Sequence, residues 1–133
     1  MENLILHHIG CAVDSIDESL KVYCDVLGFK NVSEVYRLDE IGINACFVEL
    51  SNGIFFELIE PTNENSVVIK LRKKRISYYH LGYKVKNIDD TVRELLEKDF
   101  KEVTSLNSPA FNNRKCVFMY TPEFQMIELI DSD

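Results

Sequence analysis

Two histidines and two glutamates of this chain stand at matching points of a repeated sequence. The segment that begins at His8 resembles the one that begins at His80, with the His, Gly, Val and Ile-Asp residues in register. The first copy closes on Glu57-Leu58-Ile59-Glu60 and the second on Glu128-Leu129-Ile130-Asp131. The interval from the opening His to the closing Glu is 49 residues in one copy and 48 in the other. Because a duplication relates its copies by an approximate two-fold, we expect these four side chains to converge on one metal ion.

The donor set of this predicted centre indicates a borderline divalent ion. Imidazole nitrogen and carboxylate oxygen together suit nickel, cobalt, zinc or manganese, whereas calcium prefers oxygen ligands. The predicted metal ligands are His8, Glu57, His80 and Glu128. An octahedral ion held by four protein ligands keeps two adjacent positions for substrate oxygens. The matching reaction class is proton transfer next to a carbonyl.

A structural alternative exists for each residue taken singly, since a strand histidine is more often a core or surface residue than a ligand. Four such residues at repeat-equivalent positions favour the metal. Burying a carboxylate costs free energy, and packing alone does not explain why one stands between Phe56 and Leu58. A second carboxylate, Glu128, stands at the equivalent position of the other copy. His7 precedes His8 on the same strand and is expected to face the opposite side, because successive strand residues alternate.

The elements that position these residues can be predicted from the pattern of apolar and turn residues. The first copy reads as a strand from Leu4 to Val13, a helix capped by Ser15 that ends at Gly28, and strands over 31–37, 43–50 and 54–60. In the helix, four apolar side chains recur at helical spacing: Ile16, Leu20, Tyr23 and Leu27. Asn52-Gly53 predicts a tight hairpin turn between the last two strands.

The second copy repeats this order. It predicts a strand over 80–85, a helix capped by Asn87, and strands near 101–106, 115–120 and 125–131. The helix is expected to turn four apolar side chains inward: Ile88, Val92, Leu95 and Leu96. Between the copies, Ser66 is expected to cap a short helix that runs to Arg75. The predicted fold class is therefore α+β, with two tandem βαβββ modules (about 4–60 and 78–131) and a connector (61–77) in a curved mixed sheet around a metal-binding cleft.

Length and composition narrow the class of protein further. A chain of 133 residues is of single-domain size, so the two modules are expected to form one domain over 1–133. The net charge of −7 disfavours nucleic acid and acidic membrane surfaces as partners. No apolar run approaches a membrane span, and the N-terminus lacks the pattern of a signal peptide, so a cytoplasmic protein is expected. The four cysteines, in apolar surroundings and without Cys-x-x-Cys spacing, are expected to be reduced.

At this level of detail the chain resembles the vicinal oxygen chelate superfamily, which includes glyoxalase I, methylmalonyl-CoA epimerase, extradiol dioxygenases and antibiotic-resistance binding proteins. The resemblance covers nearly the whole chain. It rests on His-Ile-Gly-x-x-Val from His8, Glu-Leu-Ile-Glu-Pro at 57–61, the connector from Ser66 to Lys74, His-Leu-Gly from His80 and Ile-Glu-Leu at 127–129. The connector is most similar to that of methylmalonyl-CoA epimerases. The resemblance implies a small-molecule substrate. A homodimer is expected because two-fold pairing is the commonest assembly and paired modules make it natural.

What the resemblance implies about activity is a metal-dependent epimerase or isomerase that acts on a small acyl thioester through a metal-stabilised enolate. Glu128 matches the carboxylate implicated in proton transfer, and Glu57 would be its partner across the metal. The alternative is a glyoxalase I-type lyase that acts on a thiol hemithioacetal, because all four ligands also match glyoxalase I. A further alternative is a non-catalytic binder of the resistance-protein type. An extradiol dioxygenase fits less well, because its iron site is formed by two histidines and one carboxylate, whereas this chain has an additional glutamate, Glu57.

Two features bear on the choice of substrate. Ala45 stands near the position where some epimerases carry a glutamate, which weakens the epimerase assignment. The run Lys70-Leu71-Arg72-Lys73-Lys74-Arg75 concentrates positive charge and could grip the phosphates of a coenzyme A or carrier-bound thioester. A solvated helix face is the equal alternative. The candidate substrate-binding residues are Lys70, Lys73, Arg114 and Lys115.

Overall fold

A computed structural model of the protein describes residues 4–132, which form eight β-strands and three α-helices. In chain order the elements are β1 (Ile5–Ala12), α1 (Ile16–Leu20), β2 (Tyr36–Leu38), β3 (Ile43–Ser51), β4 (Ile54–Pro61), α2 (Ile69–Lys73), β5 (Tyr78–Val85), α3 (Ile88–Leu96), β6 (Lys101–Ser108), β7 (Arg114–Tyr120) and β8 (Met126–Asp131). A π-helical segment, Lys21–Val26, continues α1, and short 3-10 turns precede β3 and β7. None of the helices described is long and apolar enough to cross a membrane.

These elements divide into two compact units, which correspond to the two copies of the repeat. One unit contains residues 8–79 and the other contains residues 4–7 and 80–132. The strand order is β2-β3-β4-β1 in the first unit and β5-β8-β7-β6 in the second. In each unit the first and last strands pair in parallel and the other pairs are antiparallel. The predicted class, α+β with two βαβββ modules of mixed sheet, is confirmed.

In the first unit, α1 begins where the sequence predicts. The Ser15 hydroxyl accepts a hydrogen bond from the Glu18 backbone N–H at 3.2 Å, which satisfies one of the unpaired donors of the first turn. Ile16 is buried against β1, β3 and β4, and Leu20 packs at the edge of the same cluster. Leu27 continues the helical spacing of the sequence but is 57% exposed. The chain has changed from α-helical to π-helical winding before this residue, which rotates it away from the sheet.

The predicted strand over 31–37 is also wrong in extent, because only Tyr36–Leu38 forms β2. Before β2, Ser33 lies along the edge of β3 and is joined to Phe47 by one backbone and one side-chain hydrogen bond. Its N–H donates to the Phe47 carbonyl at 2.9 Å, but its hydroxyl, not its carbonyl, accepts from the Phe47 N–H. A side chain thus replaces the backbone acceptor and interrupts the ladder. The hairpin prediction is confirmed, since Asn52 and Gly53 both have positive φ, 50° and 78°.

The connector is held by Arg72, which lies within the basic run. Its guanidinium donates to the carbonyls of Ala12 and Ile76, at 3.1 and 3.2 Å, and to the Ser77 hydroxyl at 3.1 Å. It also pairs with Asp14 at 3.0 Å, and this hydrogen bond holds the pKa of the Asp14 carboxyl below its ordinary value. That contribution to stability is present at neutral pH and is lost as the pH falls through the lowered pKa. Ser66 does not cap α2, because its hydroxyl bonds to the Val68 N–H before the helix begins.

We expect Arg72→Met to destabilise the protein by about 2–4 kcal/mol, because the substitution strands two carbonyl acceptors that the guanidinium now satisfies. The measurement is urea unfolding at neutral pH. Lys73→Met is the control, since Lys73 makes an exposed ion pair with Glu64 at 3.3 Å. It should change the free energy of unfolding by less than about 0.5 kcal/mol. Equal effects of the two substitutions would contradict the structural role of Arg72.

In the second unit, the side chain of Asn87 caps α3 by accepting from the Asp90 N–H at 3.2 Å. The inward face of α3 packs on β7 and β8 as predicted, with Ile88, Val92 and Leu95 buried. Leu96 is 47% exposed, and the expectation for this residue is wrong. Thr91 takes a buried place on the helix instead, because its hydroxyl donates to the Asn87 carbonyl at 2.8 Å and needs no solvent.

Candidate metal centre

In the first unit, β1 and β4 bring His8 and Glu57 together. The two strands run parallel with Gly10 opposite Glu57, so that the histidine lies one pleat away on the same face. His8 Nε2 is 3.2 Å from Glu57 Oε1. The exposed fraction is 0% for His8 and 9% for Glu57. The Phe47 ring, which stands opposite Glu57 on β3, meets the imidazole edge-on with centroids 5.6 Å apart.

The second unit builds the same pair from β5 and β8. Gly82 stands opposite Glu128, and His80 Nε2 is 3.3 Å from Glu128 Oε1. Both residues are again buried. Phe118 stands opposite Glu128 on β7 and meets the His80 ring edge-on, with centroids 5.2 Å apart. Each unit therefore presents one imidazole and one carboxylate behind an aromatic ring.

Sequence reasoning gave the two phenylalanines no role. A signal was present, because Phe47 and Phe118 each precede the glutamate of their own unit by ten residues. Aromatic residues in strands are usually core, so the spacing carries information only when the repeat is aligned on the glutamates. In the structure each ring packs against an imidazole and limits its rotation.

The two pairs supply a group of four buried residues, the His/Glu group: His8, Glu57, His80 and Glu128. One ligand atom from each residue lies within 4.8 Å of the others. The set of two nitrogens and two carboxylate oxygens fits a divalent transition ion, whose charge would balance two buried carboxylates.

The candidate substrate-binding residues fall in different surroundings. Lys70 and Lys73 are exposed on α2. Lys115 lies on β7 with its ammonium 2.9 Å from an Asp89 carboxylate oxygen. Arg114, the neighbour of Lys115, is partly buried. The cysteines are free thiols, and burial raises the pKa of Cys11 and Cys46, which makes them poor nucleophiles.

Comparison with known proteins identifies the family. Residues 7–118 match the family model described as the Glyoxalase/Bleomycin resistance protein/Dioxygenase superfamily. The chain belongs to this superfamily. The matched residues include His8, Glu57 and His80, and Glu128 follows them at the position that the internal repeat identifies.

Within the glyoxalase superfamily, the relatives found include methylmalonyl-CoA epimerases. The chain is 28% identical over 117 residues to the mitochondrial methylmalonyl-CoA epimerase of Mus musculus, a match that covers 86% of this chain and 65% of the mouse protein. The crystal structure of methylmalonyl-CoA epimerase from Mycobacterium tuberculosis is similar with a TM-score of 0.83 and 26% identity, over 96% of this chain and 87% of that one. A Streptomyces coelicolor methylmalonyl-CoA epimerase in complex with 2-nitronate-propionyl-CoA shares the fold, with a TM-score of 0.84 at 21% identity over 98% and 96% of the two chains.

Proposed function

We propose that this protein is a metal-dependent epimerase or isomerase that moves a proton next to the carbonyl of a small acyl thioester. The observation that carries the proposal is the buried His/Glu group, with one His–Glu pair from each copy of the repeat. The similarity to methylmalonyl-CoA epimerases at 28% and 26% identity supports the acyl thioester as substrate class.

His8, Glu57, His80 and Glu128 are the residues that would hold a divalent ion of nickel, cobalt, zinc or manganese. When bound, such an ion supplies Lewis-acid stabilisation of the negative charge that develops on a carbonyl oxygen. The protein contributes the burial of the site, which excludes water and strengthens every electrostatic interaction within it. Phe47 and Phe118 hold the imidazole rings in place from each side strand.

Proton movement is assigned to the two glutamates. Inverting a carbon requires one acid or base on each of its faces, and the duplicated pairs offer one carboxylate from each copy. In this proposal Glu128 removes the proton next to the carbonyl and Glu57 returns one from the other side. Ala45 is buried and has no acidic side chain, so it cannot serve as a further base.

A glyoxalase I-type isomerisation of a thiol hemithioacetal is the second candidate. The observation that favours it is the combination of a carboxylate at both Glu57 and Glu128 with the apolar Ala45. The reaction step is of the same kind, because the proton again moves at a carbon next to a carbonyl group. The two substrates differ in the group that carries the reacting part, which we call the handle: a phosphate-bearing carrier in the thioester and a thiol such as glutathione in the hemithioacetal.

One experiment compares the two candidates directly. The metal-free protein is reconstituted with nickel, cobalt, zinc or manganese, and each form is tested for epimerisation of methylmalonyl-CoA and for conversion of methylglyoxal with glutathione or another thiol. The proposal expects metal-dependent turnover of the thioester. Turnover of the hemithioacetal alone would support the second candidate, and absence of both activities in every metal form would refute the proposed function.

The phosphate-bearing carrier of the thioester is proposed to contact two exposed cations of α2, Lys70 and Lys73. The ion pair of Lys73 with Glu64 is itself exposed, so a polyanion can compete with it. Arg72 is excluded from this role because it is committed to the connector. Such contacts would make the Michaelis constant of the thioester rise with salt. We also propose that the protein acts as a cytoplasmic homodimer, since two-fold pairing is the commonest assembly, and light scattering of the purified protein tests the dimer.

A further inference from the structure

Arg114 faces the same side of its sheet as the second His–Glu pair. Arg114, Cys116 and Phe118 alternate along β7, so their side chains share one face. Phe118 stands opposite Glu128 and contacts the His80 ring. Arg114 is four residues from Phe118, which places their Cα atoms about 13 Å apart along the strand. Arg114 therefore shares a face with the second His–Glu pair but lies several residues along the strand from it.

The guanidinium of Arg114 lacks a complete set of protein partners. Its Nη1 atom is buried and has no hydrogen-bond partner among residues 4–132. A guanidinium has only N–H donors, so a buried nitrogen without an acceptor costs free energy. A buried cationic donor of this kind is suited to an oxyanion that arrives from outside the chain.

A second donor lies beside it. Ser108 on β6 stands directly opposite Arg114 and is 5% exposed. Residues opposite one another on antiparallel strands have side chains on the same face and Cβ atoms about 5 Å apart. The Ser108 hydroxyl oxygen accepts from the Ala110 N–H at 3.3 Å, which leaves its own O–H available to donate.

The first unit provides an internal comparison. Counting back from the phenylalanine opposite each glutamate, Ile43 corresponds to Arg114, and its partner Leu38 corresponds to Ser108. Ile43 is buried in an apolar cluster against which Leu38 packs. The fold thus accepts an apolar pair at this position, so the packing of the module does not by itself require Arg114 and Ser108.

We propose that Arg114 and Ser108 form an oxyanion subsite that binds a carboxylate or phosphate of the substrate, remote from the reacting carbon. The proposal rests on the proposed function for the identity of the substrate, and it adds a contact from the second unit to those proposed for Lys70 and Lys73. Arg114 acts in binding and takes no part in proton transfer. The carboxylate could belong to the peptide portion of a thiol adduct, and the phosphate to the carrier of a thioester.

The test uses Arg114→Ile, which copies the first unit and should therefore fold. Arg114→Lys keeps the charge without the planar fork of donors. Arg93→Met is the matched control, since Arg93 lies exposed on α3 and pairs with Asp90 at 2.8 Å. Two quantities are measured on the metal-loaded proteins: the rise in melting temperature with inorganic phosphate or acetate, and the kinetic constants for the thioester and for the hemithioacetal.

We expect the anion-induced rise in melting temperature in the control to match that of the unaltered protein, to be reduced in Arg114→Lys and to be lost in Arg114→Ile. The Michaelis constant of Arg114→Ile should increase about ten- to a hundredfold, with kcat within about twofold.

An increase in the Michaelis constant for the thioester alone identifies a phosphate as the bound group, and an increase for the hemithioacetal alone identifies a carboxylate. An unchanged rise in melting temperature in Arg114→Ile would overturn the subsite, as would a lost rise with both Michaelis constants unchanged. If no variant turns over either substrate, the proposed function fails, and the anion-induced rise still decides whether the subsite exists.

Discussion

Glu128→Gln is expected to lower kcat by about 10²–10⁴-fold while the protein keeps its metal. The amide retains an oxygen that can serve as a ligand, but it cannot accept the proton that the proposed mechanism assigns to Glu128. Glu128 is 4% exposed, so a base from solvent has little access to its position. The measurement is kcat and metal content on the same sample, so that loss of turnover is separated from loss of the ion.

Glu97→Gln provides the control for this substitution. Glu97 is exposed at the C-terminal end of α3, and the same chemical change there should leave kcat within about twofold. Full activity in Glu128→Gln with a normal metal content would remove Glu128 from proton transfer. Glu57→Gln tests the partner role in the same assay and should impair epimerisation more than simple exchange of the substrate proton, because returning a proton to the second face requires the second carboxylate.

The second large effect concerns metal affinity. His8→Ala and His80→Ala should each weaken binding of cobalt or zinc by at least about a hundredfold, and by similar factors, because the two imidazoles occupy equivalent positions in the repeat. Competition with a chelating indicator measures the affinities. His7→Ala is the closest available control. The neighbour of His8 faces the other side of β1, where its ring contacts Phe111 edge-on.

A large loss of affinity in only one of His8→Ala and His80→Ala would contradict a centre to which both units contribute. An equal loss in His7→Ala would indicate that the substitutions act through folding instead. Circular dichroism of the metal-free variants separates that case, because His8 is fully buried and its removal leaves a cavity even without an ion.

The repeat made much of the candidate site predictable. His8, Glu57, His80 and Glu128 could be selected because the chain makes the same chemical choice twice at nearly equal spacing. Local sequence signals also gave correct predictions where a side chain interacts with the backbone a few residues away. The caps at Ser15 and Asn87 and the turn at Asn52-Gly53 are of this kind, since their geometry needs no distant partner.

The errors arise where a distant contact or a change of winding decides the outcome. Ser33 fits the sequence pattern of a strand residue. In the structure, however, its hydroxyl instead of its carbonyl accepts the hydrogen bond from the N–H of Phe47 on β3, fourteen residues away. Leu27 and Leu96 follow the helical period, yet each lies at the end of its helix, where the sheet no longer covers it. The basic run looked uniform, although Arg72 is a structural residue and its neighbours Lys70 and Lys73 are exposed.

The proposed function requires the His/Glu group to move a proton next to a carbonyl, and proton NMR of methylmalonyl-CoA in deuterium oxide detects that step. We expect the metal-loaded protein to replace the hydrogen next to the thioester carbonyl with deuterium and to interconvert the two epimers, and we expect Glu128→Gln to slow the interconversion by about 10²–10⁴-fold. A protein that binds one ion per chain through these four residues, yet leaves that hydrogen unexchanged in every metal form, would contradict it.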